Sequence, residues 1–381
     1  MSHDAYAGEV NELVCLDMPC GDSFVQRLLQ AWDDGDAIFP LDQRLPAPAR
    51  HTVLSSLRPT IMATADDDYR VDGDPVENGD AIVVATSGTT GSPKGVVLTH
   101  DSVRASALAT SKRLGVTRND SWFACLPVSH VGGLSVVTRA LLTETPLITS
   151  AQFTVEAYNE AADNGATLVS LVSTALQRVD PTRFRLIVLG GSRPPVDRPS
   201  NTITTYGMTE TGSGVVYDGI PLDDVEISII DGIIHLRAPM LFRAYRDGTE
   251  PFTSDGWFRT GDIGQFDGHR LIVEGREGDL IITGGENVWP DHVEAVLMEH
   301  PSIDDVCVAG VQDNEWGQRV TAWIVPRPDT HLSLAELREF VKEQLPSHCA
   351  PRALFEVQEI PRTNLGKPKR SELIRTSLNQ T

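Results

Sequence analysis

Positive charge is scarce in this chain: 32 Lys and Arg stand against 53 Asp and Glu, a formal net charge of −21 over 381 residues. That balance opposes non-specific binding to nucleic acid or to anionic membrane surfaces, so any anionic ligand must be held by local groups. Lysine is the rarer cation, with five in the whole sequence. Paired cysteine is missing as well. Cys15, Cys20, Cys125, Cys307 and Cys349 are odd in number, scattered and without a C-x-x-C spacing, which argues against a disulfide framework and against zinc. No apolar run reaches the length of a membrane span, and MSHDAYAGEV has neither the basic start nor the apolar stretch of a secretory signal, so a cytoplasmic protein is expected. Internal repeats and low-complexity tracts are absent too. What is there is 40% apolar, enough for a sizeable core, at a length that suggests more than one domain.

Between Ala81 and about Ile203, short β-branched runs (AIVVAT, WFACLP, PLITS, TLVSLV, RLIVLGG) alternate with helical patterns (DSVRASALATSKRL, GGLSVVTRALL, VEAYNEAADN). The alternation predicts an α/β layer with a largely parallel sheet. The pattern changes at VEISIIDGIIHLRAP, where two strand-like runs flank Asp231-Gly232, a hairpin signal, so a β-rich unit follows. After GREGDLIITGGENV the chain restarts with PDHVEAVLMEH, DDVCVAGV, VTAWIVP and SLAELREFVKEQL, a separate small α+β domain beginning near Asp279. ADDDYRVDGDPVENGD, acidic and turn-rich, is expected to be a solvated loop before the first sheet strand. Residues 1–60 offer only a helical pattern in DSFVQRLLQAW.

One stretch concentrates what the rest lacks. TSGTTGSPKG, Thr86 to Gly95, follows an apolar run and gathers Gly88, Gly91 and Gly95 with the short hydroxyls of Ser87, Thr89, Thr90 and Ser92 and the point charge of Lys94. Glycine freedom lets backbone N–H groups converge on an anion, and such a loop suits polyphosphate. A Walker loop needs Gly-Lys-Ser/Thr in that order, whereas Pro93 precedes Lys94 here and Gly95 follows. The alternatives are a different ATP-binding loop or a plain structural turn.

Six further motifs follow in order: LPVSHVGG at 126–133, LGGSRPP at 189–195, TTYGMTET at 204–211, SDGWFRTGDIG at 254–264, GREGDLIITGGENVWP at 275–290 and PRTNLGKPKR at 361–370. With the loop, they resemble the adenylate-forming superfamily of acyl-CoA synthetases, peptide-synthetase adenylation domains and luciferases. The resemblance covers residues 81–370 or so. It implies an α/β adenylate-forming fold with a large N-terminal domain, residues 1–278, and a small mobile α+β domain, residues 279–381, hinged near Asp279. It also implies ATP, Mg²⁺ and coenzyme A as substrates and activator and a small carboxylic acid as partner; the charge balance and the lack of long apolar runs add the expectation of no nucleic acid and no membrane insertion.

Site roles come with the same resemblance. Thr86, Ser87, Gly88, Thr89, Thr90 and Lys94 would manage the phosphates, with Gly191, Ser192 and Gly207 along the nucleotide. Tyr206, otherwise a core aromatic, would stack on adenine. Asp262, otherwise a turn cap, would accept the ribose hydroxyls, with Arg276 approaching the same nucleotide. Glu210 would take the metal, as a lone carboxylate beside substrate phosphates can. Lys367, in a basic run that composition alone makes a solvated tail, would bridge the substrate carboxylate and the α-phosphate. Gly284, Gly285 and Asn287 would line the thiol tunnel, and His130 would gate between acyl pocket and tunnel, its ordinary reading being a satisfied loop histidine.

The chain is compact: 85 residues precede Thr86, fewer than in most of the superfamily, and SRPPVDRPSN is short where a helix normally intervenes. In this it resembles the o-succinylbenzoate–CoA ligases of actinobacterial menaquinone biosynthesis. Ligases of that kind place an arginine toward the acyl pocket where Arg139 stands, nine residues after His130. On a helix, Leu134, Val137 and Leu141 form an apolar stripe while Ser135 and Arg139 lie on a different side, so the ordinary reading of Arg139 is an exposed surface arginine. Three readings stay open: the o-succinylbenzoate ligase, with Ser135 and Arg139 toward the acid; another aryl or acyl adenylator, loading CoA or a carrier protein; and an inactive nucleotide-binding regulator.

Overall fold

A computed structural model describes residues 11–87, 93–191, 197–328, 330–362 and 368–378, and its chain forms two compact units. One comprises Met1–Ser228, His235–Arg259 and Asp267–Leu271; the other comprises Ile229–Ile234, Thr260–Phe266 and Ile272–Thr381.

The first unit holds two seven-stranded sheets. In one, the strands run in the order Ala244–Tyr245, Pro93–Thr99, Asp80–Ser87, Ala37–Pro40, Leu13–Leu16, Ile61–Ala63 and Asp68–Arg70. Leu13–Leu16 and Ala37–Pro40 are buried at every position, as strands covered on both faces must be, and they pair in parallel. Leu13, Cys15, Phe39, Leu57, Val83 and Val97 form the core there. Such four-residue runs are too short to separate strand from helix by periodicity, so the sequence showed none of them. The acidic segment expected to be a solvated loop contains the strand Asp68–Arg70, antiparallel to Ile61–Ala63. Its side chains are all exposed, so composition reported their solvation correctly while the backbone closes the sheet edge.

The second sheet runs Ile220–Pro221, Gly214–Tyr217, Thr202–Gly207, Leu186–Leu189, Leu168–Leu171, Trp122–Ala124, Leu147–Thr149, parallel from Thr202 onward. The predicted alternation is therefore present from Trp122, but AIVVAT belongs to the other sheet. It turns back as an antiparallel hairpin with Pro93–Thr99, and a hairpin return keeps both strands in one sheet. The helix His100–Arg113 starts on a Thr99–Ser102 capping box and ends on Lys112 and Arg113, charges suited to its dipole. The helix Val131–Leu142 buries Leu134 and Val137 but equally Ser135, Thr138 and Arg139. From Gly133 to Ala140 every position is buried, which removes the one-sided stripe and with it the exposed-surface reading of Arg139.

A four-stranded sheet orders Glu226–Ile230, Ile233–Arg237, Phe258–Asp267 and Arg270–Arg276. Its Asp231-Gly232 turn has both residues at positive φ, as a two-residue type I′ hairpin requires. Within the second unit, the long strands Ile303–Asp313 and Gly317–Pro326 pair antiparallel and separate two cores. Val306, Val308 and Val320 face Val293, Leu297 and Leu337, while Cys307, Val311 and Trp323 face Ile360 and Leu373. That is the period of two at work on a sheet buried on both faces. Among the described residues no helix is long and apolar enough to cross a membrane.

Candidate functional site

Thr86 and Lys94 are cross-strand neighbours at the base of the glycine-rich loop, with the Thr86 hydroxyl 3.4 Å from the Lys94 carbonyl oxygen. Gly88, Thr89, Thr90 and Ser192 lie outside the described residues, as does Lys367. Ser87 ends its strand, and Gly191 follows Leu186–Leu189 at φ +83°. Lys94 Nζ sits 4.7 Å above the centre of the Tyr245 ring, and the Tyr245 hydroxyl donates to Glu210 Oε1 at 2.9 Å. A residue that sequence reasoning missed thus joins the expected phosphate lysine to the expected metal carboxylate. Glu210 belongs to the turn Thr209–Thr211, reached from the strand Thr202–Gly207 that carries half-buried Tyr206. Gly207 is required there, since a Cβ would meet the Ser213 carbonyl oxygen at 2.2 Å. Among the described residues no group of three or more His, Cys, Asp or Glu could hold a metal. A single carboxylate such as Glu210, with one oxygen engaged by Tyr245, is a donor set that fits Mg²⁺, which keeps much of its own hydration.

His130 is the N-cap of the helix Val131–Leu142, and Gly133 sits so close to the Leu126 and Pro127 carbonyl oxygens that a Cβ would meet both at 2.4 Å. This fixes where the helix begins. His130 Nε2 is buried without a hydrogen-bond partner, 3.6 Å from the carboxylate of Asp42, itself gripped by Arg44 through bonds of 2.8 Å. Two turns along the helix, Arg139 is 2% exposed. Its Nη2 donates to the Ser213 hydroxyl at 3.0 Å and its guanidinium lies over the Trp122 ring, while Nε and Nη1 have no partner. Burial pulls the Arg139 pKa down, opposed only by Tyr217. A cavity of about 10 Å³, lined by Val131, Leu134, Ser135, Thr138, Arg139 and Gly212, adjoins it, about the space of one water.

The second unit brings together Asp262 and Arg276, with Arg276 Nε 3.5 Å from Asp262 Oδ1 and Arg276 Nη2 3.5 Å from the Thr260 carbonyl oxygen. Gly284 and Gly285 make the exposed turn between Ile281–Thr283 and Glu286–Val288, and Asn287 is exposed on the latter strand. Asp279 closes the turn Glu277–Asp279, where Arg370 Nη1 approaches it to 3.8 Å. Arg370 also donates to Asp291 at 2.8 Å, to Glu294 at 2.9 Å and to the Val308 carbonyl at 2.9 Å. Burial works against the Arg370 charge, yet the acids around it outweigh burial and hold its pKa above the usual value. Burial likewise pushes the Glu294 carboxyl up to about 7, with Arg370 and the Val308 N–H pulling the other way. The motif PRTNLGKPKR contained Arg370, but nothing in the sequence said which acids it would meet.

The sequence matches the AMP-binding enzyme family over residues 27–233 and the AMP-binding enzyme C-terminal domain over 292–367. The chain belongs to the AMP-binding enzyme family and has the adenylate-forming fold. Within it, the chain is 37% identical over 335 residues to the probable 2-succinylbenzoate–CoA ligase of Mycobacterium tuberculosis, spanning 80% of this chain and 86% of that one. It is 34% identical to the 2-succinylbenzoate–CoA ligase of Geobacillus kaustophilus, over 77% of this chain and 69% of the relative. The solved o-succinylbenzoate CoA synthetase of Bacillus subtilis, in complex with the acyl-adenylate intermediate OSB-AMP, superposes with a TM-score of 0.86 at 26% identity, covering 95% of this chain and 88% of that one.

Proposed function

We propose that this chain is an AMP-forming 2-succinylbenzoate–CoA ligase of menaquinone biosynthesis, acting in the cytoplasm. The observation that carries the choice of acid is Arg139: a fully buried guanidinium with two unpartnered nitrogens. A dicarboxylate brings a second, unreacted carboxylate that such a group neutralises with fixed geometry, whereas a monocarboxylate brings nothing to it. The free, buried thiols of all five cysteines support a reducing compartment.

The chemistry divides in two. A carboxylate oxygen of the acid attacks the α-phosphorus of ATP and pyrophosphate leaves; the CoA thiol then attacks the acyl carbon and AMP leaves. Lys94 and the loop from Thr86 to Thr90 hold the phosphates, and Lys367 bridges the attacking carboxylate and the α-phosphate. Glu210 would hold Mg²⁺, which when bound would neutralise charge on the phosphate oxygens. Tyr206, Gly207, Gly191 and Ser192 flank the base, and Asp262 with Arg276 holds the ribose. Residues 279–381 then turn about Asp279, exchanging the Lys367 face for the Gly284, Gly285 and Asn287 face that admits the thiol, with His130 gating the passage.

A panel of carboxylic acids offered with ATP and Mg²⁺, with and without CoA, tests the reading. The expected result is a CoA thioester from 2-succinylbenzoate in preference to benzoate and medium-chain acids. Preference for a monocarboxylate makes the chain another acyl-CoA ligase, and adenylate formation without thioester points to a carrier-protein thiol. Lys367→Ala is expected to abolish adenylate formation while leaving thioester formation from supplied acyl-adenylate largely intact; a normal adenylation rate removes Lys367 from the mechanism.

A further inference from the structure

The segment Phe242–Arg246 lies between the two groups assigned to the pyrophosphate end of the nucleotide and is stitched to both. Toward the phosphate loop, Arg243 N–H donates to the Val97 carbonyl at 2.9 Å and Arg246 N–H to the Gly95 carbonyl at 2.6 Å. Toward the metal carboxylate, Phe242 N–H donates to the Glu210 carbonyl at 2.8 Å. Tyr245 repeats the same connection with its side chain: ring face under Lys94 Nζ, hydroxyl on Glu210 Oε1. The Phe242 ring, 4.9 Å from that of Tyr245, braces it from the side. A cation over an aromatic face and a hydroxyl donated to a carboxylate are both directional contacts, and here one rigid side chain makes the two at once.

Resting on the reading of Glu210 as the metal carboxylate and Lys94 as a phosphate lysine, we propose that Tyr245 is a positioning residue that fixes these opposite charges relative to each other before ATP arrives. The hydroxyl holds one Glu210 oxygen, which sets the rotamer and turns the other oxygen and its free lone pairs toward the metal. The ring keeps the Lys94 ammonium extended beside them, so that little side-chain freedom is lost when the phosphates bind.

The test reads binding rather than turnover. ATP binding to the purified full chain is followed by calorimetry at graded free Mg²⁺, and Mn²⁺ bound in the presence of ATP is followed by electron paramagnetic resonance. Tyr245→Phe, which keeps the ring, is expected to raise the Mg²⁺ concentration at half-effect by about two- to tenfold and leave ATP binding without divalent cation unchanged. Tyr245→Leu is expected to show the same metal shift and, in addition, weaker metal-free binding. A wild-type Mg²⁺ midpoint in Tyr245→Phe, with melting temperature retained, overturns the proposal; so does equal loss with and without metal. Glu210→Gln in the same assay separates the two layers. If it leaves the midpoint in place, the metal reading of Glu210 fails and takes the Tyr245 proposal with it. If it shifts the midpoint while Tyr245→Phe does not, Tyr245 alone is wrong.

Discussion

Arg139 is buried and Arg370 largely so, with 17% of its side chain exposed, but the two units treat them in opposite ways. In the second unit, Arg370 is met by Asp279, Asp291 and Glu294, and its charge is answered within the fold. In the first, Arg139 meets a serine hydroxyl and an indole face and no acid among the described residues. The fold gains nothing obvious from an unanswered buried cation, because desolvation of a charge costs several kcal/mol unless a partner offsets it. The contrast separates a charge answered by acids within its own unit from a buried charge with two unpartnered nitrogens, the feature on which the proposed choice of acid rests.

The largest effect should come from breaking the answered charge. Arg370→Met leaves the buried Glu294 without its partner and, at pH 8, above the Glu294 pKa of about 7, is expected to cost about 3–5 kcal/mol in denaturant unfolding of the full chain. A loss below about 1 kcal/mol would erase the contrast. Next in size, Arg139→Met removes a charge and keeps the volume, so the melting temperature should stay or rise while KM for 2-succinylbenzoate increases about 10- to 150-fold, the equivalent of one charge-assisted contact of 1.5–3 kcal/mol. Steady-state kinetics with a monocarboxylate alongside sharpens it: an equal change for both acids would mean that Arg139 shapes the helix rather than reads the substrate.

The smallest effect is one of slope. Because the folded-state pKa of Glu294 is raised to about 7 from an ordinary 4.5, the native state holds a proton that the unfolded chain has released. Its contribution is fully present below pH 4.5 and is lost as pH rises through about 7. Glu294→Gln should therefore flatten the fall of stability between those values, measured as denaturation midpoints at several pH values. An unchanged slope would mean that Arg370 keeps the carboxylate ionised throughout.

How much of this was written in the sequence depends on the range of the contact. Helices with 3.6-residue periodicity were legible, as was the Asp231-Gly232 hairpin, because their causes are local. So were the seven motifs, since glycine positions and their order survive without coordinates. The N-terminal strands were not, because four buried residues carry no period, and the two-sheet split of the α/β layer was not, because it turns on whether one loop returns as a hairpin. Arg139 was visible as a residue, but its burial was suggested only by the family resemblance: helical spacing reports one apolar stripe and does not say that neighbours cover the remaining faces. Tyr245, Asp42 and Ser213 gave no signal at all. Each matters through a partner between 35 and 88 positions away, Glu210, His130 and Arg139 respectively.

Gly133, finally, bears on what this chain can tolerate over evolutionary time. By pressing the first turn of Val131–Leu142 against the Leu126 and Pro127 carbonyls, it pins one end of a rod that carries His130 at its cap and Arg139 two turns on. A single inserted residue between them would swing Arg139 by about 100° and shift it about 1.5 Å along the axis. Point substitutions can change what surrounds these two side chains without moving them, but insertions and deletions in that dozen residues would displace Arg139 relative to His130, so variation along this helix has to proceed by exchange of side chains at constant length.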